Sequence, residues 1–98
     1  MSTSQNNEAF DVNVEQIQAF MDSMVDDGSD QELFVAGYLS GHFSLAVSHC
    51  ELTDARTITE LDNSMRNSLQ NAFDNDELQA NDQQDAWQFW QKCLDKVG

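Results

Sequence analysis

The sequence predicts an all-α fold, a single-domain bundle of about four helices with a central, largely buried second helix. Three observations carry this. The 98 residues contain no proline, so nothing compels a helix to break. Apolar residues recur at steps of three and four in four separate stretches, which places them on one face of a helix. Short polar runs separate those stretches, and Ser or Thr three residues before Glu marks two of the starts. A chain of this length, with 40% hydrophobic residues, supports one core and one domain over residues 1–98.

The first helix is read from Phe10 through Val14, Ile17, Phe20, Met21, Met24 and Val25, ending near Asp26. Residues 1–7 are expected to form a polar tail, and "DDGSD" around Gly28 reads as a turn. Ser29 and Glu32 have the form of a capping box opening helix two, which runs to about Cys50. Thr57 and Glu60 stand in the same relation before helix three, whose inward face is Ile58, Leu61, Met65, Leu69, Ala72 and Phe73. After "DNDE", Asn81 is expected to cap a last helix in which Ala86, Trp87, Trp90, Leu94 and Val97 recur at helical spacing, with Trp87, Trp90 and Leu94 sharing a face with the core. Phe89 points elsewhere on that helix and is a candidate exposed anchor for a partner.

The formal net charge is −14, and it is unevenly placed. Residues 1–55 hold ten acids and neither Lys nor Arg, whereas 56–98 hold eight acids and four bases, Arg56, Arg66, Lys92 and Lys96. Binding to phosphate backbones or anionic lipid needs clustered bases that displace counterions, so no nucleic-acid and no membrane partner is expected. Solubility is the plain use of such charge, and capture of basic proteins is another. The N-terminus "MSTSQNNEAF" lacks a basic region followed by an apolar one. With two cysteines, Cys50 and Cys93, too few for a disulfide scaffold, the expectation is a reduced, cytoplasmic protein.

Helix two is unlike its neighbours. Between Glu32 and Glu51 lie eighteen residues without Asp, Glu, Lys or Arg. A helix uncharged all round is usually buried. A membrane span is rejected because His42, His49 and three serines fall inside the stretch and acids flank it. Gly37, Ser40, Gly41, Ser44 and Ser48 form a narrow stripe of small side chains, along which another backbone can approach closely. Glycine costs about 1 kcal/mol against alanine inside a helix, so the two glycines imply a compensating contact. Close packing within the chain is the leading reading; an interface with a second copy or a partner, and the floor of a ligand pocket, are the others.

His42 and His49 are seven residues apart, two turns or about 10 Å along the axis, too far to share one metal ion held at about 2 Å. No metal site and no cofactor is expected. "DNDELQANDQQD" has Leu78 and Gln79 where a calcium loop needs a carboxylate and a glycine. There is no phosphate loop, nucleophile elbow or paired-cysteine motif, so no catalytic residue is assigned and the chain is not read as an enzyme.

The run "DSMVDDGSDQELFVAGYLSGHFSLA", Asp22 to Ala46, resembles the YfcL family of small gamma-proteobacterial proteins. The resemblance rests on Glu32, Leu33, Phe34, Gly37, Tyr38, Leu39, Gly41 and His42. It implies an all-helical cytosolic protein with no assigned reaction, and it supplies no catalytic residue. Its motif concentrates at Gly37, Tyr38, Gly41 and His42, for packing or for binding, and with Glu32 and Phe34 these are the candidate partner-binding or family-motif positions. The expected function is a non-enzymatic protein–protein interaction module, with an unknown partner or a homodimer. The alternative is a small-molecule or metal-binding protein using His42 and nearby carboxylates.

Overall fold

A computed structural model of the chain describes the backbone of residues 2–97 and the side chains of residues 8–97; the polar tail expected over 1–7 lies outside the described side chains. The elements are α1 (Ser2–Asp27), α2 (Asp30–Leu52), α3 (Ile58–Asp74) and α4 (Ala80–Val97). α2 packs against all three other helices, and α1 also packs against α4. The second helix is therefore central, as expected.

Local chemistry sets the boundaries. At Gly28, which follows α1, a Cβ would lie 2.9 Å from the Met24 carbonyl oxygen, so any larger residue would force the turn apart. Both halves of the capping box at α2 are made: Ser29 Oγ accepts from the Glu32 N–H at 3.1 Å, and Glu32 Oε1 accepts from the Ser29 N–H at 3.0 Å. The Ser29 N–H, ahead of the Ser29 hydroxyl, holds the Glu32 carboxyl below its ordinary pKa. At α3 only the Thr57 half is made, Thr57 Oγ1 accepting from the Glu60 N–H at 3.1 Å. α4 begins at Ala80, so Asn81 lies inside its first turn rather than capping it. Gln83 reaches back instead, its Nε2 donating to the Leu78 carbonyl at 2.9 Å.

α2 and α3 stop in the same way. Asp54 and Asp76 have φ of 55° and 59°, the left-handed region that glycine usually fills at a helix C-terminus. Around Asp76, the Glu77 N–H donates to the Ala72 carbonyl at 3.2 Å and the Asp76 N–H to Phe73 at 3.0 Å, the paired bonds of a Schellman motif. Asp54 repeats this with Ala55 donating to Cys50 at 2.9 Å and Asp54 to Glu51 at 3.3 Å.

Among the described residues the buried set is wholly hydrophobic. α1 contributes Phe10, Ile17, Met21 and Met24, and α2 a strip of Val35, Ala36, Leu39, Phe43, Ala46 and Cys50. α3 buries Leu61, Met65, Leu69, Ala72 and Phe73, the expected face except that Ile58 is half-buried. On α1, Val25 is exposed, contrary to its expected place on the inward face. On α4 the inward face is rotated by close to one residue from the expected one. Ala86, Phe89, Trp90 and Cys93 are buried, with Phe89 only 4% exposed, while Trp87 and Leu94 are half-buried. The cause is that α4 packs on α1 as well as α2: Phe89 stacks on Phe20 of α1 at 5.2 Å while Trp90 meets Phe43 of α2 at 6.0 Å. Phe89 is thus a core residue and not an exposed anchor. The Trp90 indole N–H donates to Asp62 Oδ1 at 2.8 Å, so its one polar atom is satisfied. Cys50 and Cys93 are free and buried; burial raises both thiols, Cys93 to about 12, which leaves them chemically quiet.

Because an L-residue in the left-handed region costs about 1–2 kcal/mol that glycine does not, Asp76→Gly should raise the unfolding free energy by about 1 kcal/mol in urea titrations. An unchanged or lowered value would contradict the helix-end geometry described above.

Candidate protein-interaction face

α2 divides lengthwise into two uncharged faces with different fates. One is the buried strip from Val35 to Cys50. The other carries Phe34, Gly37, Gly41, Ser44, Leu45, Ser48 and Leu52, all exposed, with Phe34 at 47%, Leu45 at 69% and Leu52 at 87%. A Cβ added at Gly37 or Gly41 would meet nothing within 4 Å. The leading expectation, that the small-residue stripe packs within the chain, is therefore overturned. Burial of α2 is one-sided because α1 and α3 hold its two edges without closing over the face between them.

The α1 edge is fixed by Gln18, whose Nε2 reaches Asp22 Oδ1 at 3.0 Å and Ser40 Oγ at 3.4 Å. The α3 edge is built from Tyr38 and His42. The Tyr38 hydroxyl donates to Glu77 Oε1 at 2.9 Å, and its ring lies 4.8 Å from the His42 ring and 6.4 Å from that of Phe73. His42 Nδ1 shares a 2.6 Å hydrogen bond with Ser68 Oγ. Further along this edge Leu45, Ala46, His49, Ser64, Asn67 and Ser68 line an open cleft of about 300 Å³.

Of the six residues singled out from the sequence, Phe34, Gly37 and Gly41 lie on the open face, and Tyr38 and His42 form its α3 border. Glu32 does not join them. Its carboxylate caps α2, and its side chain lines the clefts near Lys92 of α4, on the buried side of the helix. Among the described residues, no three His, Cys, Asp or Glu side chains are grouped so as to hold a metal ion. Nor is any helix long and apolar enough to cross a membrane. Sequence reasoning missed Leu45 and Leu52, the most exposed apolar residues of the face. Their signal was available: neither falls in the 35, 39, 43, 46, 50 register of the buried strip.

Burial, with the Glu77 hydrogen bond and charge behind it, raises the Tyr38 phenol to about 12. The fold holds this proton more tightly than the unfolded chain does. The resulting stability is present below the ordinary tyrosine range and is lost as pH rises through that range toward about 12. Tyr38 is the chain's single tyrosine, so absorbance of tyrosinate reports it alone. The titration should lie above the ordinary value of about 10, and Glu77→Gln should lower it without restoring that value. An ordinary midpoint in the wild type, or one indifferent to Glu77→Gln, would contradict the contact.

The YfcL protein family model matches residues 11–95, a span that takes in the open face, both of its borders and most of all four helices. A protein of Escherichia coli (strain K12) described as "Uncharacterized protein YfcL" is 37% identical over 81 residues, covering 83% of this chain and 88% of its own length. No solved structure matches the chain. With the family model covering most of the chain and this relative aligned along nearly all of its own length, the chain belongs to the YfcL family.

Proposed function

We propose that this chain is a non-enzymatic protein-interaction module of the cytoplasm, and that the open face of α2 is where its partner docks. One observation carries the reading: a helix face free of charge, bearing three large exposed apolar side chains and two glycines that none of the described residues covers. Exposed apolar residues scattered singly need no explanation, but Phe34, Leu45 and Leu52 are aligned on one face with only glycine and serine between them. From Phe34 to Leu52 the row extends about 27 Å. The glycines cost helix stability, roughly 1 kcal/mol each, and an approaching helix recovers it by coming close to the α2 backbone at those points. Phe34 and Leu45 then serve as anchors on either side of the glycines.

The size of the face fits a transient contact. One helix face of this length buries roughly 1,000 Å² or less in total, at the lower end of specific interfaces. Nucleic acid is disfavoured as a partner by the ten acids and the lack of any Lys or Arg in residues 1–55.

The test is affinity capture from the lysate of the cell of origin at moderate salt, with wild type and Leu45→Glu as parallel baits. Leu45 is largely solvated, so the variant should melt within about 0.5 kcal/mol of wild type. A specific protein retained by wild type and lost with Leu45→Glu is the expected result. Identical sets on both baits would contradict the proposal.

A further inference from the structure

We infer that the occupant of the open α2 face is a cationic amphipathic helix of another protein and not a second copy of this chain; this rests on reading that face as a docking surface. The charge bordering the face carries this. On α1, Asp11, Glu15, Gln18, Asp22 and Asp26 recur at steps of four, three, four and four, a single stripe along the helix. Gln18 ties that stripe to the face, since its Nε2 contacts Asp22 and Ser40 together. The four acids of the stripe are all exposed. The opposite border along α3 presents Ser64, Asn67 and Ser68, with Glu77 at its end held by Tyr38. The border along α1, with four acids, is therefore the more anionic of the two, the α3 side carrying Glu60 and Glu77.

No base of this chain is placed to answer the anionic border. Arg56 pairs with Asp54 at 2.6 Å and Arg66 with Asp62 at 3.0 Å. Lys92 and Lys96 lie on α4, behind the buried face of α2, with Lys96 4.8 Å from the centre of the Phe20 ring. Two copies joined through this face would set the acidic α1 border against its own copy if the α2 helices ran antiparallel, or against the α3 border if they ran parallel, in neither case with a base to answer it, each copy carrying −14 overall. Like charges facing across an interface select against self-pairing. A partner helix with small or apolar residues toward Gly37 and Gly41, and Lys or Arg along one flank, satisfies both the face and its border. Its association is steered by the acidic stripe and weakens as salt screens it.

The experiment is selection from a display library of helices of about 20 residues, with an Ala/Leu face held fixed and the flanks varied among Lys, Gln and Glu. Baits are wild type, Leu45→Glu, and the border variant Asp11→Asn/Glu15→Gln/Asp22→Asn/Asp26→Asn, each shown folded by circular dichroism. Wild type should enrich helices with Lys on one flank. A Lys-flanked binder should lose roughly tenfold or more in affinity on the border variant at low salt, a difference that shrinks at about 0.5 M salt. Enrichment without a Lys bias, or a bias indifferent to the border variant, would overturn the charge inference and leave the docking face standing. No enrichment above Leu45→Glu would overturn the docking face and this inference together. Sedimentation of wild type as a dimer that Leu45→Glu dissociates would give the face to a second copy and overturn the inference.

Discussion

The bundle depends on the strip of α2 formed by Val35, Ala36, Leu39, Phe43, Ala46 and Cys50, because that strip lies where the other three helices meet. A chain with eighteen acids and four bases repels itself when compact, so its core has to be apolar without exception. It is: among the described residues the buried side chains are all hydrophobic, and no buried side-chain polar atom lacks a partner. Burying even one unpaired carboxylate would cost several kcal/mol. The charge is therefore carried on the outer faces of α1, α3 and α4, and α2 has none between its end carboxylates.

Much of this fold is legible in the sequence, and what is not has identifiable causes. Helix number, order and the Ser29 cap follow from short-range spacing, which local geometry enforces. The inward face of α3 is readable because its opposite face is Asn, Ser, Gln and Asp. α4 is not, because Trp87, Phe89, Trp90 and Leu94 surround the helix with large apolar groups and only the position of α1 decides which turn inward. Phe89 is buried by Phe20, seventy residues away in sequence, a contact no local pattern contains. For α2 the difficulty is the reverse. A helix without charges reads as buried on every side, yet burial requires neighbours, and the face opposite the Val35–Cys50 strip has none among the described residues. The small-residue stripe was thus legible by residue and misjudged in its surroundings. Gly37 and Gly41 mark the place, but they mark an absence of contact.

That reversal connects fold to function. In this member of the YfcL family, α1 and α3 grip the two edges of α2 while α4 packs behind it. Gln18 holds one edge, and Tyr38 with His42 holds the other, through partners on α1, on α3 and in the link after α3. The face between them is held in place without being covered. An added Cβ at either of the two helix-weakening glycines at its centre would meet no atom within 4 Å, and a close-approaching partner is the compensation we propose for them.

The most direct test is the unfolding free energy of the isolated Gly37→Ala/Gly41→Ala variant. If the face is open in the free protein, the two added methyl groups meet no atom and the gain in helix propensity should stabilise it, by about 1 kcal/mol per site. A variant less stable than wild type would mean that those glycines are already packed against something in the chain, and the account of α2 as an uncovered docking face would be wrong.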